Sequence, residues 1–430
     1  MVFFRSQVNC VRIFKIFILF IQLTINAQSK STLLDNLYER GRWGDYYEKE
    51  SSSSFKLISK DIEVDSIVVF GDSSLQFSTL QTIFKPLNRS ENSAIAQNRF
   101  QQLMDSYLFI SSSSTLSFAR YGSNNIAAVI DLKTDFKSHI GGIIGSSKDR
   151  SGNWKLSGEL DLQLENLFKD GSSFSLFWRQ PSSIYRSVNF SAEYPVFSKL
   201  PFGLSAAYNQ EFFEDFYINE SFATYLTSFG RFGSVKIGSK IGSSNNMDIS
   251  SESTTRSASI IIQRDRRNTR WLPYSGNYLR VDSDIGNYKD GRGNSIEANA
   301  NFDFGTYKTY RSSLLHFKIS GSINKINERE ALQSKSIKFG GSNSIRGYDE
   351  NQFIAQWMTL QSAELIFGDL YRSQFLVFLD NVYAKDIVIN PTSGFGIRVF
   401  DGKFYYDVSL GFPLEGLREA KLHIKFNTRL

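Results

Sequence analysis

The 430-residue sequence contains one cysteine, Cys10, and it falls in the N-terminal segment read below as cleaved. The rest of the chain has no thiol. That excludes disulfide staples and cysteine nucleophiles, while an oxidising compartment stays allowed. There are three histidines, His139, His316 and His423, far apart in sequence. Each reads as a single polar strand residue, so no metal site is expected. No Gly-x-Ser-x-Gly elbow is present, and no catalytic residue or cofactor is expected. Beyond the N-terminus no window offers eighteen consecutive apolar residues, so no membrane-crossing helix is expected. The formal charge is only +6. It falls to +3 without residues 1–27, which carry Arg5, Arg12 and Lys15 and no acid. So small an imbalance argues against a nucleic-acid partner, which needs a basic face.

The N-terminus pairs those three cations with an apolar run from Ile16 to Leu23 and the small-residue stretch Ile25-Asn26-Ala27. This pattern is that of a secretory signal peptide over residues 1–27. The remainder is rich in aromatics, 15% of residues with 38 Phe and 20 Tyr, yet its mean hydropathy is slightly negative. Alternation explains how both hold. Ile296, Ala298, Ala300, Phe302 and Phe304 point one way, while Glu297, Asn299, Asn301 and Asp303 point the other. Residues 156–164 and 278–285 repeat the pattern. A period of two predicts strands with one apolar and one polar face. Taken alone, it fits a soluble sandwich as well as a membrane barrel with an apolar exterior and a polar lumen.

Residues 28–60 suggest a short amphipathic helix from Leu33 to Tyr47, then a linker at Ser51-Ser52-Ser53-Ser54. Residues 61–134 read as a small α+β domain. It has a strand at Ile62–Phe70, helices at Phe77–Phe84 and Ser93–Leu108, and strands at Ser114–Tyr121 and Asn125–Leu132. From 138 to 430 sixteen strands are predicted, with short connections except for residues 326–352, between the eleventh and the twelfth.

That long connection contains Phe339-Gly340-Gly341-Ser342-Asn343-Ser344-Ile345-Arg346-Gly347-Tyr348. The Ile-Arg-Gly-Tyr run resembles the loop signature of the BamA/TamA superfamily of outer-membrane β-barrels, in which the loop tucks into the barrel. Several other stretches are similar to that family. Gln361-Ser362-Ala363-Glu364-Leu365 resembles its Asn-x-Glu-Leu strand, and Phe378-Leu379-Asp380-Asn381-Val382 its Phe-x-Asp-x-Gly strand, with Val382 in place of glycine. Asp265-Arg266-Arg267-Asn268 leading to Pro273-Tyr274-Ser275-Gly276, and Gly394-Phe395-Gly396-Ile397-Arg398, match two further family stretches. In the last strand Leu422, Ile424, Phe426 and Leu430 resemble the family's C-terminal signal, with leucine where an aromatic is usual.

The resemblance implies a sixteen-stranded antiparallel transmembrane β-barrel in the outer membrane of a Gram-negative bacterium. It implies that the β-α-α-β-β domain before the barrel is a single periplasmic POTRA domain. Gly340, Gly341, Ile345, Arg346, Gly347 and Tyr348 are then the luminal loop motif, with Glu364 and Asp380 as the acids that lock Arg346. The implied function is insertion or translocation of unfolded polypeptide clients by β-augmentation on the POTRA domain and opening of the seam between first and last strands. Gly142 and Ile424 mark the expected positions for a bridge locking that seam. Other assembly-complex subunits are implied partners through the POTRA domain. A two-partner-secretion export pore, whose plug helix the segment 33–47 is similar to, and a structural accessory barrel are the alternatives. None of these requires chemical catalysis.

Overall fold

The structure, a computed structural model, describes residues 30–51, 54–72, 74–122, 124–148, 154–182, 184–196, 202–230, 232–247, 251–327, 332–415 and 420–430. The signal-peptide reading of 1–27 and Cys10 lie outside the described residues. The chain divides into two compact units. The first comprises residues up to 69, 84–100 and 116–130; the second comprises 70–83, 101–115 and 131–430.

In the first unit a helix α1, Lys30–Arg40, precedes an antiparallel hairpin of β1, Asp45–Lys49, and β2, Phe55–Ser59. This corrects the predicted helix from Leu33 to Tyr47. The helix stops at Gly41, which takes φ +60°, and Tyr46 and Tyr47 pair with Ile58 and Leu57 as strand residues. The serine run is the connection within this hairpin rather than a linker. Strands β3, Val64–Gly71, β4, Thr115–Tyr121, and β5, Asn125–Leu132, form a sheet in the order β3-β5-β4. Helices α2, Phe77–Phe84, and α3, Ser93–Ser106, fall between β3 and β4 in the chain. Buried Val64, Phe84, Leu87, Ala96, Phe100, Ile126, Ala128 and Ile130 supply the apolar core of the unit. The rings of Phe84 and Phe100 stack with centroids 6.2 Å apart. Apolar residues four apart on α3, such as Ala96 and Phe100, share one face, which lets a short helix bury a stripe.

Among the described residues of the second unit, sixteen strands close an antiparallel barrel. In chain order they are β6, His139–Lys148; β7, Trp154–Glu165; β8, Ser173–Ser182; β9, Tyr185–Tyr194; β10, Phe202–Phe213; β11, Tyr217–Gly230; β12, Gly233–Asn246; and β13, Ser251–Asp265. There follow β14, Gly276–Asp290; β15, Gly293–Tyr310; and β16, Ser313–Ile326. Two short strands, β17, Ile337–Phe339, and β18, Phe353–Ala355, pair with each other in the long connection. The barrel resumes with β19, Trp357–Asp369; β20, Ser373–Ala384; β21, Thr392–Phe400; β22, Phe404–Pro413; and β23, Lys421–Arg429.

Alternation assigns the two faces. On β13 Ser253, Thr255, Ser257 and Ser259 are buried inward, while Thr254, Arg256, Ala258 and Ile260 are exposed outward. On β15 Ile296, Phe302 and Phe304 are exposed and Glu297 is buried, as the period-two pattern predicts. Closure pairs each strand with two neighbours, so no strand is left as a free edge. No helix among the described residues is long and apolar enough to cross a membrane.

The ring is uneven. Eight or more residue pairs join every neighbouring pair of barrel strands except one. At β23 and β6 only three pairs form among the described residues: Asn427 with Gly141, Thr428 with Ile140, and Arg429 with His139. The Leu430 N–H adds a 3.0 Å bond to the Ser138 carbonyl. This register corrects the expected bridge positions. Gly142 lies opposite Leu160 of β7 and has no partner on β23, and Ile424 lies opposite Val408 of β22. Gly142 also holds φ +135°, and a Cβ there would come within 2.0 Å of the Glu159 carbonyl oxygen.

Candidate functional site: the inward-folded loop and its arginine

The connection between β16 and β19 runs to residue 356, four residues beyond the predicted end, because β18 turns back onto β17 before the wall resumes. It is seated by an apolar cluster. Ile345 is fully buried with Phe339, Ala355, Met358, Leu360, Val382 and Ile389. Met358 and Leu360 come from β19 and Val382 from β20, so the loop packs on the wall itself. Val382, which replaces the family's glycine, joins this cluster. Tyr348 packs edge-on against Phe353 at 4.9 Å and donates its hydroxyl to the Asn390 carbonyl at 3.1 Å.

Gly340 and Gly341 turn the chain with φ +123° and +91°. The Gly340 N–H donates to Ser344 Oγ at 2.7 Å, and the Gly341 N–H to the Ile345 carbonyl at 3.1 Å. Gly347 has a different task. It takes φ +92°, and a Cβ there would lie 2.9 Å from the Phe412 nitrogen and 3.0 Å from the Gly411 carbonyl carbon. The tip of the loop therefore lies backbone-to-backbone on β22, an approach that a side chain would prevent.

This seating carries Arg346 to two acids. Its Nε and Nη2 donate to the two oxygens of Asp380 at 2.8 and 2.7 Å, a two-pronged contact. Nη1 donates to Glu364 Oε1 at 2.7 Å, and Nη2 also reaches Ser362 Oγ at 3.1 Å. The Ser362 hydroxyl donates to Asp380 Oδ1 at 2.6 Å. The guanidinium centre lies 3.5 Å from the ring centroid of Phe378, so one face of the cation meets an aromatic π-cloud. Asp380 is 0% and Glu364 4% exposed. Charges so buried are costly unless paired and hydrogen-bonded, and here they are both.

Glu364 has further partners that sequence reasoning did not assign. Arg398 of β21 donates to it twice, at 2.9 and 2.8 Å. His316 of β16 places Nδ1 2.9 Å from its Oε2 and stacks on Tyr307 with centroids 4.1 Å apart. Arg398 also donates to Asp407 of β22 at 3.1 Å. Arg398 stood in a recognised family stretch, and His316 was read as a lone polar residue. Only the cross-strand register, which sets His316 opposite Glu364, joins them.

The loop also reaches both sides of the short seam. Lys421 of β23 pairs with Asp349 at 2.9 Å, and the Gly347 N–H donates to Nε2 of His423, also on β23, at 3.2 Å. On the other side Arg179 of β8 pairs with Glu350 at 3.0 Å and with Glu159 of β7 at 3.2 Å. Adjacent loop residues thus hold strands on either flank of the β23–β6 contact. In β23 itself Leu422 and Ile424 are exposed, as is Leu430 just after it, and Phe426 packs on Tyr406 and Phe404 at 5.0 and 6.1 Å. Among the described residues no group of acids, histidines or cysteines is placed to hold a metal ion.

A closed barrel of sixteen antiparallel strands, with its longest connection folded onto the inner wall, defines a class of β-barrel by fold. Solved structures share it. The chain is similar to BamA from Haemophilus ducreyi in a form lacking POTRA domains 1–3, at 14% identity and a TM-score of 0.51, covering 92% of this chain and 93% of that one. It is similar to CdiB from Acinetobacter baumannii at 13% identity and 0.62, covering 92% and 80%. CdiB from Escherichia coli follows at 12% identity and 0.64, covering 92% and 82%. At these identities the likeness is one of fold: this chain has the sixteen-stranded barrel fold of BamA and CdiB. No protein-family model matches the chain, and no curated protein does.

Proposed function

We propose that this chain is an outer-membrane barrel of the BamA/TamA superfamily that inserts or translocates other polypeptides, working at the seam between β6 and β23. The observation that carries this reading is the shortness of that seam, three residue pairs where every other junction has at least eight. Backbone groups cannot stay unpaired in lipid. A wall that opens must therefore open where few pairs are lost, and the freed edges then offer hydrogen bonds to an incoming strand. Such templating needs geometry and not a chemical step, in keeping with the expected absence of catalysis.

The α+β domain, on this reading, is a single POTRA-like module in the periplasm. Its sheet order leaves β3 and β4 as edges, and an extended client adds to such an edge by β-augmentation. The role assigned to Arg346 is to lock the loop to β19 and β20 through Glu364 and Asp380. Lys421 and Arg179 then tether the loop tip to both flanks of the seam, so that loop position and seam opening are coupled.

A second reading, export through the lumen, is favoured by one feature. Cavities of about 630 and 430 Å³ lie among polar inward side chains such as Asn189, Asn209 and Asn301. Photo-crosslinking in intact envelopes separates the two. A crosslinker at Ile140 or Ile424 captures client segments if the seam is the working surface. Capture only from inward positions such as Asn209 contradicts seam insertion and supports threading.

A further inference from the structure

The outward face of β11–β15 carries a feature that neither the loop nor the seam explains. Direct cross-strand partners there form the row Phe222, Ile241, Arg256, Asn287 and Ile296. Phe222, Ile241 and Ile296 are 50%, 56% and 52% exposed, so Arg256 stands outward in an apolar row. Lys289 is its diagonal neighbour, two residues beyond Asn287 on β14, which puts their Cβ atoms about 7–8 Å apart. Neither cation is ion-paired among the described residues; the exposed Glu252 is the diagonal neighbour of Lys289 on the side away from Arg256. The side chains between them, Thr254 and Asn287, are neutral hydrogen-bonding groups. An outward arginine in an apolar band is unfavourable unless something neutralises it.

An apolar groove of about 650 Å³ lies beside this island on the same face. Its floor is the row Ala192, Ala206, Thr224 and Ser239, small residues in direct register across four strands. Leu204, Leu226 and Ile237 form one side. Ser239 is paired with Ala258, two residues from Arg256. The groove therefore ends one diagonal step from the cation pair. A single amphipathic molecule with an anionic head and an extended apolar tail matches both features at once.

We propose that this surface is a binding site for a bilayer lipid bearing a phosphate headgroup, with the phosphate on Arg256 and Lys289 and one acyl chain in the groove. The complementarity is electrostatic at the head and apolar along the chain, which neither free phosphate nor a neutral lipid satisfies. Arg256 and Lys289 lie toward the end of the wall away from that at which the chain enters β6, so the headgroup belongs to the leaflet farther from the β6 entry. The inference rests on the reading that this face meets a membrane.

Native mass spectrometry of the detergent-folded full chain tests it, with dimyristoyl phosphatidic acid and dimyristoylglycerol as probes and inorganic phosphate as competitor. The wild type is expected to retain one phosphatidic acid at least tenfold more strongly than the diacylglycerol. Arg256→Ala with Lys289→Ala should remove about tenfold of the phosphatidic acid affinity and leave diacylglycerol unchanged. Thr224→Phe, which fills the groove, should weaken both lipids. Equal phosphatidic acid retention by the double variant, indifference to Thr224→Phe, or full displacement by inorganic phosphate would each overturn the proposal. Heat-modifiable migration of every variant verifies the fold. A chain soluble without detergent fails the membrane reading, whereas a detergent-folded barrel with unaltered lipid retention fails this inference alone.

Discussion

Replacing Arg346 by alanine removes the centre of the inward site, and the structure says where the cost falls. Glu364 keeps Arg398, through two bonds, and His316. Asp380 keeps only the Ser362 hydroxyl at 2.6 Å and the backbone N–H of residue 346 at 3.3 Å. The fully buried Asp380 carboxylate is therefore the group left without a cation. Breaking a buried pair costs about 3–5 kcal/mol. Entry of luminal water and the surviving serine bond place the expected loss near the lower end, about 3 kcal/mol. Arg346→Lys should recover part of it, because an ammonium cannot make the two-pronged contact. Asp380→Asn in the Arg346→Ala background should restore stability, since it removes the stranded charge, whereas Glu364→Gln in that background should not. The assay is unfolding in detergent, followed by denaturant or by loss of heat-modifiable migration, with limited proteolysis of residues 327–356 as the local readout. If Arg346→Ala leaves both unchanged, or if Glu364→Gln rescues as well as Asp380→Asn, the assignment of Asp380 as the principal partner is wrong.

Gly347→Ala introduces a Cβ against β22 at φ +92°, so it should lift the loop tip and raise its proteolysis, at a strain of about 1–3 kcal/mol. Unchanged cleavage would contradict the backbone-to-backbone seating. Lys421→Ala combined with Arg179→Gln cuts the loop from both flanks of the seam. Global stability should fall by roughly 1 kcal/mol or less for the exposed Lys421 pair, but maleimide should label a Thr428→Cys reporter faster; unchanged labelling would uncouple the loop from the seam. The purified chain should give a β-dominated circular dichroism spectrum and heat-modifiable migration, and a mainly helical spectrum would contradict the barrel.

The barrel was legible because alternation survives wherever one face is polar and the other apolar, as on β15 from Ile296 to Phe304. The hairpin of β1 and β2 was not legible. Its alternation is weak, and Leu33, Leu34 and Leu37 extend a helical pattern that only the turn at Gly41 ends. Residues 353–355 look like the start of a long strand, yet they pair with β17, because a three-residue ribbon carries no periodic signal. At the site, Arg346, Glu364 and Asp380 were visible through short motifs. Arg398, His316, Ser362 and Asp407 were not assigned, since their roles arise from cross-strand register, which sets Ser362 opposite Asp380, Arg398 opposite Asp407 and His316 opposite Glu364 and which a strand pattern alone does not fix. The same holds for the Lys421 and Arg179 tethers, which depend on where the loop tip lands.

The central claim, that the wall works by opening between β6 and β23, is tested most directly by closing it. Ile140 and Thr428 are direct antiparallel partners, with Cα atoms about 4.5–5.5 Å apart for such a pair, within the range a disulfide spans. The native Cys10 lies in the expected signal peptide, so Ile140→Cys with Thr428→Cys forms the bridge without competition in the cleaved chain. Reconstituted in vesicles, the oxidised variant should lose client insertion and regain it on reduction, while a second bridge across the wide junction at Ala258 and Ile285 should have no effect. Full client insertion by a verified, fully oxidised Ile140–Thr428 barrel would contradict the account.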